Sequence, residues 1–222
     1  MGDVKLWTVR DRSWEYLSES YPSRVEVVLR SFELIDSYID HYEKGAGSSV
    51  YANVCGLTLL KGKNLALGAL SLILDALGQE AGALLRPLIE YIELLTYFRK
   101  YPEETSKVLE NNLPSAGRRA KAIEGIYRNL REHLNENAAH SAFSDYSISH
   151  LLTPEFSFRK FQEFHPHVLE KNFRDYAVQL QFLLQEGLFA LEHIPEVPIG
   201  SLALEAEAFR IEMLHVFDLH RD

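Results

Sequence analysis

The segment "RNLREHLNENAAH", residues 128 to 140, gathers Arg128, Arg131, His133 and His140 within thirteen positions. Imidazole titrates near neutral pH, with an unperturbed pKa of ~6.5, so a positioned histidine can give or take a proton. Five basic residues, Arg118, Arg119, Lys121, Arg128 and Arg131, face a single acid, Glu124, between Gly117 and Arg131. The segment is therefore either a solvated helix face or a local anion site with histidines beside it. Helical spacing separates its residues into two groups. Asn129, His133, Glu136 and His140 recur at intervals of four, three and four, so they share one stripe beside the apolar line Ile123, Tyr127, Leu130, Leu134. Residues five apart on a helix diverge by ~140°, which turns Arg128 away from His133 unless a neighbouring helix or a second subunit intervenes.

A second candidate lies upstream. Asp75, Gln79, Arg86, Glu90 and Glu93 fall on one polar line through an otherwise apolar stretch, with Arg86 and Glu90 one turn apart. Such a line holds either an ordinary intrahelical ion pair or part of a site. Other chemistries find little support. The chain lacks G-x-x-x-x-G-K-[ST], G-x-G-x-x-G, H-E-x-x-H and G-x-S-x-G, which excludes the common nucleotide-binding folds, zinc proteases and serine hydrolases. Cys55 stands alone, so it builds neither an internal disulfide nor a thiolate metal cage. A di-metal carboxylate bundle needs two Glu-x-x-His elements, and Glu212–His215 is one. His165 and His167 flank Pro166 at a helix start, where capping or solvent exposure suits them. No metal site and no cofactor are expected.

The elements that must position these residues are helical almost throughout. Pro22 opens a helix whose Val25, Val28, Leu29, Phe32, Ile35, Ile39 and Tyr42 follow the 3.6-residue period, with Gly45 and Gly47 at its end. Residues 48 to 62 are ambiguous, with room for a short helix. A long central helix is expected from about Asn64 to Lys100, kinked or split at Pro87. Another is expected over 115 to 143. A long loop over 144 to 165 follows, pinned to the core by Phe156, Phe158, Phe161 and Phe164. Pro166 begins a helix to about His193, and Ser201 caps a last helix carrying Leu202, Phe209, Met213 and Phe217. The sum is one all-α domain over residues 1 to 222, with four main helices and accessories.

Composition agrees. The chain is 46% hydrophobic and 25% charged, as ordinary folded proteins are, and its net charge of −9 speaks against a general nucleic-acid coat. The most apolar run, "LALGALSLIL", is ten residues long, and no signal segment opens the sequence. A cytoplasmic protein that does not span a membrane is the expectation.

Arg128-Asn129-x-x-x-His133 has the form R-N-x-x-x-H and resembles the signature of the HEPN superfamily. "EAGALLRPLIEYIELLTYF", with its R-x-x-x-E element at Arg86 and Glu90, resembles the uncharacterised and abortive-infection branches of that superfamily. There, a later histidine often precedes Ser or Pro, which matches His140 before Ser141. The resemblance covers about residues 64 to 195. It implies a HEPN-like helical bundle, a homodimer, and a metal-independent ribonuclease of a toxin or antiphage system. His133 or His140 would then be the acid or base and Arg128 the phosphate ligand, with Asn129, Arg86, Glu90 and Arg131 orienting the site. An RNA or nucleotide ligand and an antitoxin or defence partner would follow. A non-catalytic HEPN-like module binding a nucleotide or a protein is the alternative.

Overall fold

The computed structural model describes residues 7–137, 151–153, 155, 157–159, 162–195 and 197–219. Every regular element among them is helical, and the one extended pairing is an isolated antiparallel bridge between Leu152 and Phe158. The fold is all-α.

Pro22 stands at the first position of α2 (Pro22–Ala46), where a fixed φ and a missing N–H cost nothing. Of the expected period, Val25, Val28, Phe32, Ile35 and Tyr42 are buried and Ile39 is half-buried, whereas Leu29, at the edge of that stripe, is 46% exposed. The ambiguous stretch after Ser48 opens a second long helix, α3 (Val50–Leu74), whose first turn is capped by Ser49 Oγ accepting the Ala52 N–H at 3.2 Å. Apolar residues on nearly every side of α3 blur its periodicity.

The long central helix expected over 64 to 100 is broken, though not at Pro87. α3 ends at Leu74, and α4 (Gly78–Lys100) runs through Pro87. The break is a Schellman turn. Ala76 adopts φ +59°, Ala76 N–H donates to Ile73 O at 3.1 Å, and Leu77 N–H donates to Leu72 O at 2.8 Å. An unforeseen helix, α1 (Thr8–Ser20), fastens this corner: Arg10 Nε donates to Asp75 Oδ1 at 2.7 Å and its Nη2 to Ser71 Oγ at 2.8 Å. Pro87 removes one helical donor, but Leu85, Leu88 and Ile89 around it are buried, and their packing offsets the ~3 kcal/mol an interior proline costs.

A 3-10 turn (Pro102–Thr105) and α5 (Ser106–Leu109) lead to α6 (Ala116–Ala122) and α7 (Arg128–Asn137). One helix was expected from 115 to 143. Instead Glu124 and Gly125 both have positive φ, and Gly125 N–H reaches back to Ala120 O at 2.9 Å, which ends α6 as another Schellman turn. Residues 138 to 150, including His140, lie outside the described residues.

Pro166 opens α8 (Pro166–Leu191), which closes the core over α2, α3 and α4. Tyr42 and Tyr51 send their hydroxyls to Gly187 O at 2.7 Å and Ala190 O at 3.0 Å. Two glycines let the helices approach: a Cβ at Gly56 would lie 2.9 Å from Tyr42 Cβ, and one at Gly62 would lie 2.7 Å from Leu183 Cδ1. The final helix, α9 (Gly200–Val216), buries Leu202, Phe209 and Met213, and Phe217 just beyond it, as expected. Ser201 lies inside it rather than capping it, and no side chain caps its start. Of the four loop phenylalanines, Phe158 is 84% exposed and Phe164 packs edge-on against Tyr16; Phe156 and Phe161 lie outside the described residues.

Candidate functional site

α7 is seated on α4 by Leu134, which is buried, and Leu130 at the edge of the core; Ile123 and Tyr127, in the turn between α6 and α7, are buried in the same core. One turn along from Tyr127, Arg131 brings Nη2 to 3.0 Å from Glu93 Oε1 on α4. Glu93 is 1% exposed and flanked on its helix by the buried Ile89, Ile92 and Thr96. Burial pushes its pKa above the ordinary carboxylate value, and the neighbouring Glu90 adds to the rise. Arg131, Arg119 and Arg86 act against it. Glu93 Oε1 accepts no aligned hydrogen bond despite the close guanidinium, so one oxygen of a buried carboxylate has charge compensation alone.

A second buried carboxylate joins α8 to α4 and to the turn that leads into α7. Tyr127 Oη donates to Glu186 Oε1 at 2.9 Å, and Arg99 Nη2 donates to Oε2 at 3.1 Å. Arg99 also lies over the ring of Phe189, 5.2 Å from its centroid. Burial raises the Tyr127 pKa, with the nearby Glu186 charge adding to it, so the phenol remains a donor throughout the physiological range. Neither Glu186 nor Arg99 was singled out from the sequence. A signal was there: Glu186 is the only acid in the apolar run from Phe182 to Leu191.

The residues expected from the sequence divide between an inner and an outer set. Arg131, Arg86 and Glu90 join Glu93 on the inner side; Arg86 Nη1 donates to Glu90 Oε1 at 2.6 Å, with both side chains partly exposed. Arg128 and Asn129 are on the outer side. Arg128 is 73% exposed and donates through Nε to Glu132 Oε1 at 2.7 Å. Arg118 and Lys121 of α6 are exposed as well, whereas Arg119 turns in, donating to Pro114 O at 2.5 Å. The His133 backbone belongs to α7; its side chain and all of His140 lie outside the described residues, as does the side chain of Glu136.

Among the described residues no group of three His, Cys, Asp or Glu side chains is arranged to hold a metal ion. Glu212 is paired with Arg30 at 2.7 Å, His215 is exposed, and His165 lies 3.2 Å from an Arg159 nitrogen. Two shallow grooves, of about 220 and 240 Å³, share Leu34 and Phe209 and run between α2 and α9 and along α8. Neither touches α4 or α7. No protein-family model, curated protein or solved structure matches the chain.

Proposed function

We propose that the chain is a HEPN-like bundle that cleaves RNA without a metal at the outer face of α7. Arg128 binds the scissile phosphate, and His133 or His140 transfers the proton. Asn129 completes the polar face, and Arg86, Glu90 and Arg131 hold it from within. The observation that carries this reading is the division of labour between two arginines one turn apart. Arg131 is engaged with buried Glu93 and fixes α7 on α4, while Arg128 is 73% exposed and, among the described residues, pairs with the exchangeable surface carboxylate of Glu132. An exposed ion pair is weak, and a phosphate dianion or diester displaces it readily. Arg118 and Lys121 add positive charge on the neighbouring helix of an otherwise acidic chain.

The test is cleavage of structured RNA in EDTA. Wild-type protein is expected to cut, Arg128→Ala to lower the rate by about 10²-fold, and one of His133→Ala and His140→Ala to abolish it. Circular dichroism must show each variant folded. Wild-type inactivity across diverse RNAs, or activity indifferent to all three substitutions, overturns the proposal.

A second reading is a non-catalytic HEPN-like module that binds a nucleotide through the same arginines. The exposure of Arg128 favours it, because a guanidinium open to solvent can take an anion without a preformed catalytic cleft. A nucleotide that co-purifies and is lost with Arg128→Ala, in protein that does not cut RNA, is the expected sign.

A further inference from the structure

α3 is buried on most of its circumference and open along one line. Tyr51, Ala52, Val54, Cys55, Thr58, Leu59, Ala66, Ala69 and Ile73 pack inward, while Val50, Leu57, Leu60 and Leu67 are 45%, 54%, 37% and 42% exposed. The exposed apolar residues are seven, three and seven positions apart. The two places that complete a heptad series between them hold Asn53 and Asn64, also exposed. This is the 3.5-residue spacing of a coiled-coil seam, on the outside of a helix whose 3.6-residue face is already occupied.

We infer that this seam binds a second copy of the chain, with the two α3 helices antiparallel. Placing a two-fold axis midway between Thr58 and Leu59 sets Val50 against Leu67 of the other copy, Asn53 against Asn64, and Leu57 against Leu60. Each apolar residue of the seam then meets an apolar one, and each asparagine meets an asparagine that satisfies its amide. Sliding the pair by one heptad sets a leucine against an amide, so the asparagines fix the register at a cost in stability. The antiparallel sense also opposes the dipoles of two 25-residue helices.

Charge selects the same occupant. The chain carries −9 overall, yet no Asp or Glu lies between Val50 and Leu74. Of its two lysines, Lys63 is paired with Asp36 and Lys61 lies 6.0 Å from the centroid of the Tyr91 ring. Two acidic molecules thus meet on a surface from which their shared charge is missing. A helix of this length spans ~37 Å, and at a width of ~10–12 Å it offers ~400 Å² per partner, about half of the ~800 Å² of a standard interface, so the helices flanking α3 supply the remainder.

A lipid bilayer is the competing occupant, since α3 is long and apolar enough to cross one, with a mean hydropathy of 1.4 over its best window. Two asparagines and Lys61 along the open side fit a protein seam better than hydrocarbon.

The experiment uses the full chain. Sedimentation at ~10–50 µM is expected to give twice the 25.5 kDa chain mass. Leu57→Glu is expected to weaken association at least 100-fold, whereas Leu204→Glu, on the exposed side of α9, leaves it unchanged. As a second measurement independent of those variants, a chain carrying both Asn53→Cys and Asn64→Cys is expected to form intermolecular disulfides under mild oxidation. Neither single variant should do so. A monomeric wild type, a Leu57→Glu dimer, crosslinking by Asn53→Cys alone, or flotation of wild type with phosphatidylcholine vesicles would overturn the assignment.

Discussion

Glu93 is held between opposing influences, burial against three guanidinium groups, and the balance has a measurable sign. Its folded pKa lies above the ordinary value of 4.5, so between those two pH values the folded chain binds more protons than the unfolded one. The contribution of Glu93 to stability is therefore fully present below about pH 4.5 and is lost as pH rises through the folded value. Replacing it with glutamine removes the titration. The stability of wild type relative to Glu93→Gln is expected to fall as pH rises from about 4.5, as read by urea denaturation at a series of pH values. A pH-independent difference would mean that Glu93 titrates alike in both states.

The corner between α3 and α4 carries an L-residue in a conformation that suits glycine. Ala76 at φ +59° incurs roughly 1–2 kcal/mol of steric strain, and Ala76→Gly is expected to recover about 1 kcal/mol once the greater freedom of glycine in the unfolded chain is deducted. Thermal unfolding should show the variant melting higher. Gly56→Ala is expected to do the opposite. Its new methyl would meet Tyr42 Cβ at 2.9 Å, an atom that cannot rotate away, so α2 and α3 must separate, at a cost of about 2 kcal/mol.

How legible these elements were in the sequence follows from what terminates them. Prolines at 22 and 166 and the helical period of α2 and α8 are local signals, and the structure follows them. The break at Ala76 has no such signal, because it depends on Arg10, 65 residues earlier, binding Asp75. Pro87 gave a local signal that tertiary packing overrode. Within the site, Glu93 and Arg86–Glu90 were readable as polar interruptions of an apolar pattern. The Arg131–Glu93 and Tyr127–Glu186 contacts were not, because each joins helices far apart in sequence.

At the scale of the whole molecule, Cys55 reports on the integrity of the core. It is fully buried, and burial lifts its pKa to about 12, with a weak opposing effect from Tyr51. A thiol reagent at pH 8 is expected to leave native protein unlabelled and to react at the rate of global opening, rising with urea in step with unfolding. Labelling at the rate of a free thiol in native buffer would show that α3 detaches on its own.

The closure of the core by α8 also sets a schedule for synthesis. Tyr42 and Tyr51 find their carbonyl partners only on that helix, and Gly62 lies against Leu183 on it. Roughly ninety residues separate the end of α4 from the end of α8, so a ribosome adding ~5–20 residues per second needs about 5–20 s to supply them. Throughout that interval the leucine-rich inner faces of α2, α3 and α4 have no lid, and the open seam of α3 lies beside them. A nascent chain is thus exposed to premature pairing with a neighbour on the same message, and the asparagines of the seam, which penalise wrong registers, act when that hazard is greatest.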